Sequence, residues 1–241
     1  MIEAVLFDID GTLFDHEHAS GGSVRALIEV ERDDLDERGH AEALAEWRRL
    51  EALHYPAYLS GDASLDEQRR RRAGGILAWL EAEERPQAEL DAWWQRFLDG
   101  YRERWRPFED TETAVAALER EGLLLGVITN ADGDIQRRKL DALGLLERLP
   151  AFVASSEAGS AKPAPEIFLA GCELVELAPE RVAYVGDRLD VDAQGARDAG
   201  LLGIWLDRTR ESERLARCGK DPGVPVIRSL DELAEALQRA A

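Results

Sequence analysis

The chain has 241 residues and a formal net charge of −19, which arises from 49 acidic and 30 basic residues. This excess of negative charge repels the phosphates of nucleic acids and anionic lipids, so we predict neither a nucleic acid polymer nor a membrane as a partner. No apolar run approaches the roughly 18 residues of a membrane span, and we expect no secretion signal. The two cysteines, Cys172 and Cys218, lack metal-ligand spacing, and together these features predict a folded cytoplasmic protein.

The first predicted strand ends at two aspartates. Val5 to Phe7 form a continuous apolar run, which is typical of a strand buried on both faces in a parallel sheet. Asp8 and Asp10 follow on the same side of the chain, and Gly11 permits a tight turn. Because open parallel sheets bind ligands at the carboxyl ends of their strands, this pair predicts a site that holds a cation or divides the roles of base and nucleophile. A plain turn is the alternative interpretation of the pair taken alone.

The next ninety or so residues lack buried-strand runs and predict a helical insert. Helices are predicted over residues 23–38 and 40–59, from a capping box at Ser64 to Glu67, and after Pro86. Five of the six tryptophans lie in the insert, and aromatic residues at helical spacing are typical of a core.

Some polar residues of the insert have a functional and an ordinary interpretation. The run of four arginines from Arg69 to Arg72 is predicted to be mostly surface, with one arginine facing an anionic substrate as the alternative. His16 and His18 follow the aspartates closely, and we predict ordinary loop or hinge histidines rather than ligands.

From residue 108 onward, strands and helices alternate. Strands are predicted over 123–129, 151–154, 182–185, 203–206 and 224–227, and helices over 111–121, 133–143, 165–177, 190–199 and from Ser229. The first strand belongs to this pattern. We therefore predict an α/β fold in which residues 1–14 and 108–241 form a Rossmann-like parallel sheet core, with residues 15–107 as a discontinuous all-α cap domain hinged near its two crossings.

Polar residues also follow three later strands. Thr129 and Asn130 end one strand, Lys162 precedes a helix that begins with proline, and Asp187 and Asp192 follow another strand. Each has an alternative role as a helix cap or a surface charge, and Asp190 is predicted to be the N-cap of its helix. The carboxyl ends of parallel strands meet at one edge, so we expect these groups to converge with the first two aspartates.

The converging groups predict phosphoryl transfer. This reaction requires positioning and positive charge around the phosphoryl oxygens more than covalent work by the protein. The sequence has three lysines, Lys139, Lys162 and Lys220, and a chemically important lysine is expected among them. Asp8, Asp10 and Asp187 offer hard oxygen ligands with too little positive charge nearby, which favours Mg²⁺.

The four motifs, in this order, resemble those of the haloacid dehalogenase superfamily. They are Asp8-Ile9-Asp10-Gly11-Thr12, Thr129-Asn130, Lys162-Pro163, and Gly186-Asp187 with Asp192. The resemblance spans the whole sheet domain and points to the phosphatase branch with an α-helical cap after the first strand, similar to phosphoglycolate phosphatases. It implies that Asp8 attacks phosphorus and also binds Mg²⁺. It implies that Asp10 protonates the leaving oxygen and then activates water, with its backbone carbonyl on the metal.

The resemblance also assigns the remaining motif residues. It implies that Thr129 and Asn130 hydrogen-bond the phosphoryl oxygens and that Lys162 neutralises charge on the phosphate and on Asp8. Asp187 would complete the metal shell, and Asp192 would orient the lysine or lie behind the metal ligands.

The expected activity is Mg²⁺-dependent hydrolysis of a small phosphomonoester such as a sugar phosphate, phosphoglycolate or a nucleotide. Dehalogenation is disfavoured, because family members that attack carbon lack the second acid, Asp10. A sugar phosphomutase of the β-phosphoglucomutase type keeps both aspartates and a helical cap and stays an alternative. A non-catalytic binding protein on the same fold is a further one.

Overall fold

The computed structural model describes residues 1–239, except for the side chain of Leu59. Its strands are β1 (Ala4–Phe7), β2 (Leu124–Thr129), β3 (Ala151–Ala154), β4 (Val182–Gly186), β5 (Leu202–Leu206) and β6 (Val226–Ile227). They form one sheet in the order β3-β2-β1-β4-β5-β6, and every neighbouring pair is parallel. The predicted α/β class with a Rossmann-like parallel sheet is confirmed.

Apolar burial explains why β1 lies in the centre of the sheet. All four of its residues are buried. Leu6 lies in register with Gly126 and Tyr184 of the two neighbouring strands and shares a core cluster with Ile128 and Tyr184. Complete burial of a leucine stabilises the fold by roughly 1.5–3 kcal/mol, so a strand that is apolar on both faces is most stable between two others. The carboxyl ends of β2, β1 and β4 consequently lie side by side.

The helices of the sheet unit include those of the predicted alternation and two short ones that were not predicted, over residues 155–158 and 211–217. They are α5 (Thr111–Arg120), α6 (Gly133–Ala142), α7 (Ser155–Ala158), α8 (Pro165–Leu174), α9 (Gly195–Asp198), α10 (Glu211–Arg217) and α11 (Leu233–Arg239). Short 3₁₀ turns cover Pro179–Arg181 and Leu230–Glu232, and a π-helical turn covers Leu189–Gln194. None of the helices within residues 1–239 has both the length and the apolar character needed to cross a membrane.

The chain divides into two compact units, residues 16–105 and the remainder. The helices of the first unit are α1 (His16–Glu31), α2 (Glu37–Leu59), α3 (Leu65–Trp79) and α4 (Gln87–Glu103). Ser64 caps α3 by accepting a hydrogen bond from the Glu67 amide, as the capping box predicts. Trp47, Trp93 and Trp94 are buried in the core of this unit, whereas Trp79 is 37% exposed, so the core prediction holds for most of the tryptophans.

The predicted start of α1 at residue 23 is wrong. Gly21 and Gly22 resemble helix breakers in the sequence, but both lie inside α1. A Cβ at Gly22 would lie 2.8 Å from Cδ of Arg104, so the missing side chain permits close packing against the end of α4. His16 and His18 are consequently in the first turn of α1 and are not loop residues.

The predicted helix over residues 190–199 is also different in the structure. It begins with the π-helical turn, and Asp190 lies inside that turn instead of capping it. The reason is that Asp192 reaches back: its Oδ2 accepts a hydrogen bond from the Arg188 amide at 3.0 Å. Asp192 therefore closes the turn that follows β4.

Candidate active site

The predicted site residues of the sheet unit converge at the carboxyl edge of the sheet. Asp8 directly follows β1, Thr129 ends β2, and Asp187 directly follows β4. Lys162 comes from the loop between α7 and α8, and its ammonium group reaches Asp8 Oδ1 at 2.6 Å. Segments far apart in the chain therefore meet at one place.

Lys162 lies at the centre of this cluster. It is 6% exposed, and its Nζ donates hydrogen bonds to Asp8 Oδ1, to Asp192 Oδ1 at 2.7 Å and to the Tyr184 hydroxyl at 2.8 Å. Burial by itself would lower the pKa of Lys162, but the charges of Asp192 and Asp8 outweigh it and raise the pKa. The lysine therefore carries a fixed positive charge at neutral pH.

Asn130 fixes the backbone of this lysine. Its Nδ2 donates to the Lys162 carbonyl oxygen and its Oδ1 accepts from the Lys162 amide, both at 2.7 Å. This geometry supports a role for Asn130 in placing Lys162. Contact between the Asn130 side chain and a phosphoryl oxygen stays a prediction.

The carboxylates around Lys162 are short of positive charge. Burial raises the pKa of Asp8 to about 7; Lys162 opposes the rise, and Asp192 and Asp10 add to it. Burial, followed by the charges of Asp8 and Asp192, raises the pKa of Asp187 well above its ordinary value. A bound divalent cation would favour the ionised form of both groups.

The donor set fits Mg²⁺. Asp8, Asp187 and Asp192 each offer a carboxylate oxygen, and these atoms lie within 4.8 Å of one another. Both oxygens of Asp192 already accept hydrogen bonds from the protein, one from Lys162 and the other from the Arg188 amide. The geometry therefore favours Asp8 and Asp187 as ligands, with Asp192 orienting the lysine.

Gly11 is needed for this arrangement. It has a φ of +89°, and a Cβ there would lie 2.4 Å from Asp187 Oδ2. A residue with a side chain would be strained in this conformation and would displace the carboxylate. The glycine of the first motif thus leaves room for the Asp187 carboxylate and also permits the turn.

Asp10 is held by two residues that are not among the predicted site residues. Gln136 Nε2 donates to Asp10 Oδ2 at 2.6 Å, and Lys139 Nζ forms a close ion pair with Asp10 Oδ1. The same Gln136 amide lies 3.2 Å from Thr129 Oγ1. The available signal was the scarcity of lysine, which made Lys139 one of three candidates. The predicted contact of the Asp10 carbonyl with a metal stays a prediction.

Comparison with known proteins identifies the family. The haloacid dehalogenase-like hydrolase family matches residues 2–200. Glyceraldehyde 3-phosphate phosphatase of Methanopyrus kandleri is 31% identical over 234 residues, which are 93% of this chain and 91% of that protein. N-acetylmuramic acid 6-phosphate phosphatase of Pseudomonas aeruginosa is 30% identical and covers 83% of this chain and 79% of its own.

A solved structure agrees on the fold. The magnesium-bound crystal structure of YfnB from Bacillus subtilis superposes with a TM-score of 0.77, covers 98% of this chain and 99% of its own, and is 24% identical in sequence. Relatives across most of the chain are phosphatases, and the chain is accordingly a phosphoric monoester hydrolase. It belongs to the haloacid dehalogenase-like hydrolase family.

Proposed function

We propose that the protein is a Mg²⁺-dependent phosphatase that hydrolyses a small phosphomonoester through an aspartyl phosphate on Asp8. The observation that carries this proposal is the buried contact of 2.6 Å between Asp8 Oδ1 and the Lys162 ammonium group. A charged lysine at this distance orients the carboxylate and offsets negative charge as the phosphoryl group arrives. The relatives act on sugar phosphates by name, which supports a phosphorylated sugar or a similar small metabolite as substrate.

The chemistry divides hydrolysis into two displacements. In the first, an oxygen of Asp8 bonds to phosphorus, the bond from phosphorus to the ester oxygen breaks, and the alcohol leaves with a proton from Asp10. In the second, water attacks the same phosphorus and gives a proton to Asp10, which releases inorganic phosphate and restores Asp8. Thr129 and Lys162 supply hydrogen bonds and positive charge to the phosphoryl oxygens.

A magnesium ion held by Asp8 and Asp187, with the Asp10 carbonyl as a further ligand, would supply positive charge for the phosphoryl oxygens when bound. Protein side chains place the lysine: Asp192 and Tyr184 orient Lys162, and Asn130 fixes its backbone. We also propose that the helical unit is a cap that selects the substrate.

The test is release of inorganic phosphate from a panel of phosphomonoesters, with Mg²⁺ and with excess chelator. We expect turnover of at least one ester with Mg²⁺ and loss of turnover with chelator that added Mg²⁺ reverses. Asp8→Asn should abolish turnover, whereas the control Asp141→Asn, which neutralises an exposed carboxylate on α6, should not. Wild-type turnover by Asp8→Asn, or turnover indifferent to chelator, would overturn the proposal; an isomeric sugar phosphate as the product would indicate a mutase.

A further inference from the structure

We propose that Lys139 and Gln136 of α6 are positioning residues that hold the carboxylate of Asp10 in the orientation its acid and base steps require. The inference rests on the proposed function, because it assigns these two residues to the same reaction. Both act through Asp10, and neither is proposed to contact the phosphoryl group.

The contacts fix each oxygen of Asp10 separately. Lys139 Nζ pairs with Oδ1, and Gln136 Nε2 donates to Oδ2 at 2.6 Å. The two residues are three apart on α6, so their side chains project from the same face of the helix. A carboxylate held at both oxygens has little freedom to rotate about its terminal torsion.

The aromatic ring of Phe14 limits the lysine in turn. Lys139 Nζ lies 4.3 Å from the centroid of that ring, within the range of a cation–π contact. Phe14 and Asp10 belong to the same loop after β1 and pair through an isolated bridge. The ammonium group therefore contacts two parts of one loop, which holds the loop and the carboxylate together.

Burial of the Lys139 and Gln136 side chains on α6 costs free energy, because both lose contact with water. Lys139 is 2% exposed and Gln136 is 1% exposed. Burial of an ammonium group is unfavourable unless a carboxylate lies beside it. In addition, Gln136 Oε1 is buried and accepts no hydrogen bond from any described residue. A glutamine kept for stability alone is expected to satisfy both ends of its amide, so this arrangement is better explained by a need for the donor at Asp10.

Gln136 also links the acid to a phosphate-binding group. Its Nε2 lies 2.6 Å from Asp10 Oδ2 and 3.2 Å from Thr129 Oγ1. One amide therefore sets the separation between the group that transfers protons and the hydroxyl proposed to bind the phosphoryl oxygens. This separation decides whether the proton of Asp10 lies within reach of the leaving oxygen.

The test compares two phosphomonoesters whose leaving groups differ in their need for a proton. An alkyl phosphate expels a basic alkoxide and depends on the acid, whereas p-nitrophenyl phosphate expels a stable phenolate and does not. For Lys139→Met and Gln136→Met we expect kcat/KM on the alkyl ester to fall by about 10², and kcat/KM on the aryl ester to fall by less than about tenfold.

The second displacement gives an independent readout. With the aryl ester, misplacement of Asp10 slows attack by water, so phosphoenzyme should accumulate and kcat should fall together with KM. Acid quenching with ³²P-labelled ester measures the covalently bound phosphate. Arg138→Met is the matched control. Arg138 is an exposed residue of the same helix, and among the contacts described its Nε bonds only to the backbone of that helix. We expect this variant neither to accumulate phosphoenzyme nor to lower kcat.

The outcomes separate this inference from the proposed function. An equal loss on both esters, or no loss on either, in variants that unfold at the wild-type temperature would overturn the positioning role and leave the phosphatase intact. A wild-type protein that releases phosphate from no ester of the panel would overturn the proposed function, and this inference with it. If Lys139→Met does not fold, Gln136→Met carries the test, since it removes a neutral side chain and leaves no charge unpaired.

Discussion

Lys162 of the sheet unit and Arg72 of the helical unit are both buried cations, 6% and 5% exposed, but their surroundings differ. Lys162 lies between two carboxylates and a tyrosine hydroxyl. Arg72 lies over the rings of Trp47 and Trp94, at 4.3 and 5.1 Å, and pairs with one partly exposed carboxylate, Glu51.

The electrostatic result is opposite for the two cations. Burial tends to lower the pKa of each, and for Arg72 burial prevails over its partner Glu51, so the pKa is lowered. For Lys162 the charges of Asp192 and Asp8 prevail over burial, so the pKa is raised. Burial of a charge therefore does not by itself mark a functional site. Lys162 belongs to a cluster with more carboxylates than cations, whereas Arg72 is part of an aromatic core.

Replacement of Lys162 should have the largest effect. Lys162→Met leaves Asp8 and Asp192 buried without their cation, and removal of one partner of a buried ion pair typically destabilises by about 3–5 kcal/mol. We expect turnover to fall by about 10³ or more, since a preorganised cation at the phosphoryl group is lost. Phosphate release and urea unfolding measure the two effects. The control is Lys220→Met, which removes an exposed lysine; turnover within about tenfold of wild type would remove the distinction made for Lys162.

The charge imbalance around Lys162 also predicts how the stability of the protein depends on pH. The pKa of Asp8 rises from 3.8 to about 7 on folding, chiefly through burial. Because the folded state holds this proton more tightly, the contribution is fully present below pH 3.8 and is lost as the pH rises through about 7. In excess chelator, we expect wild type to lose on the order of 4 kcal/mol relative to Asp8→Asn across this window.

Urea unfolding of both proteins at several pH values measures this difference, and Mg²⁺ should reduce it by favouring ionised Asp8. The exposed carboxylate variant Asp141→Asn should instead follow the wild-type curve. If the curves for wild type and Asp8→Asn stay parallel from acid to neutral pH, folding does not raise the pKa of Asp8.

The sequence alone was sufficient to predict the polar residues at the carboxyl ends of the strands. Apolar runs that end in polar residues locate Asp8, Thr129 and Asp187, because the polypeptide itself joins each of them to a strand. Lys162 could be predicted for another reason. Lysine is rare in this chain, and Lys162 lies shortly before a helix that begins with proline. In such cases the local sequence is enough to predict where the side chain lies.

The partners of Asp10 could not be found in this way. Lys139 lies 129 residues from Asp10 in the chain, and its contact depends on how α6 packs against the loop after β1. A lysine on a predicted amphipathic helix is ordinarily assigned to the exposed face. The start of α1 was missed for a related reason, because the close approach that Gly22 permits depends on Arg104, far away in sequence.

Replacement of Arg72 should have the smallest effect, and it tests directly whether Arg72 is structural rather than functional. Among the four arginines of α3, sequence does not reveal which is buried, but the structure places Arg72 in the aromatic core and Arg71 at the surface beside Glu67. We expect Arg72→Met to lower the free energy of unfolding by about 1–2 kcal/mol, because the cation–π contacts are lost while methionine fills part of the volume. The control Arg71→Met should cost no more than about 0.5 kcal/mol. If Arg72→Met instead lowers kcat at unchanged stability, Arg72 serves the reaction, and a buried cation in the helical unit has the same kind of role as Lys162.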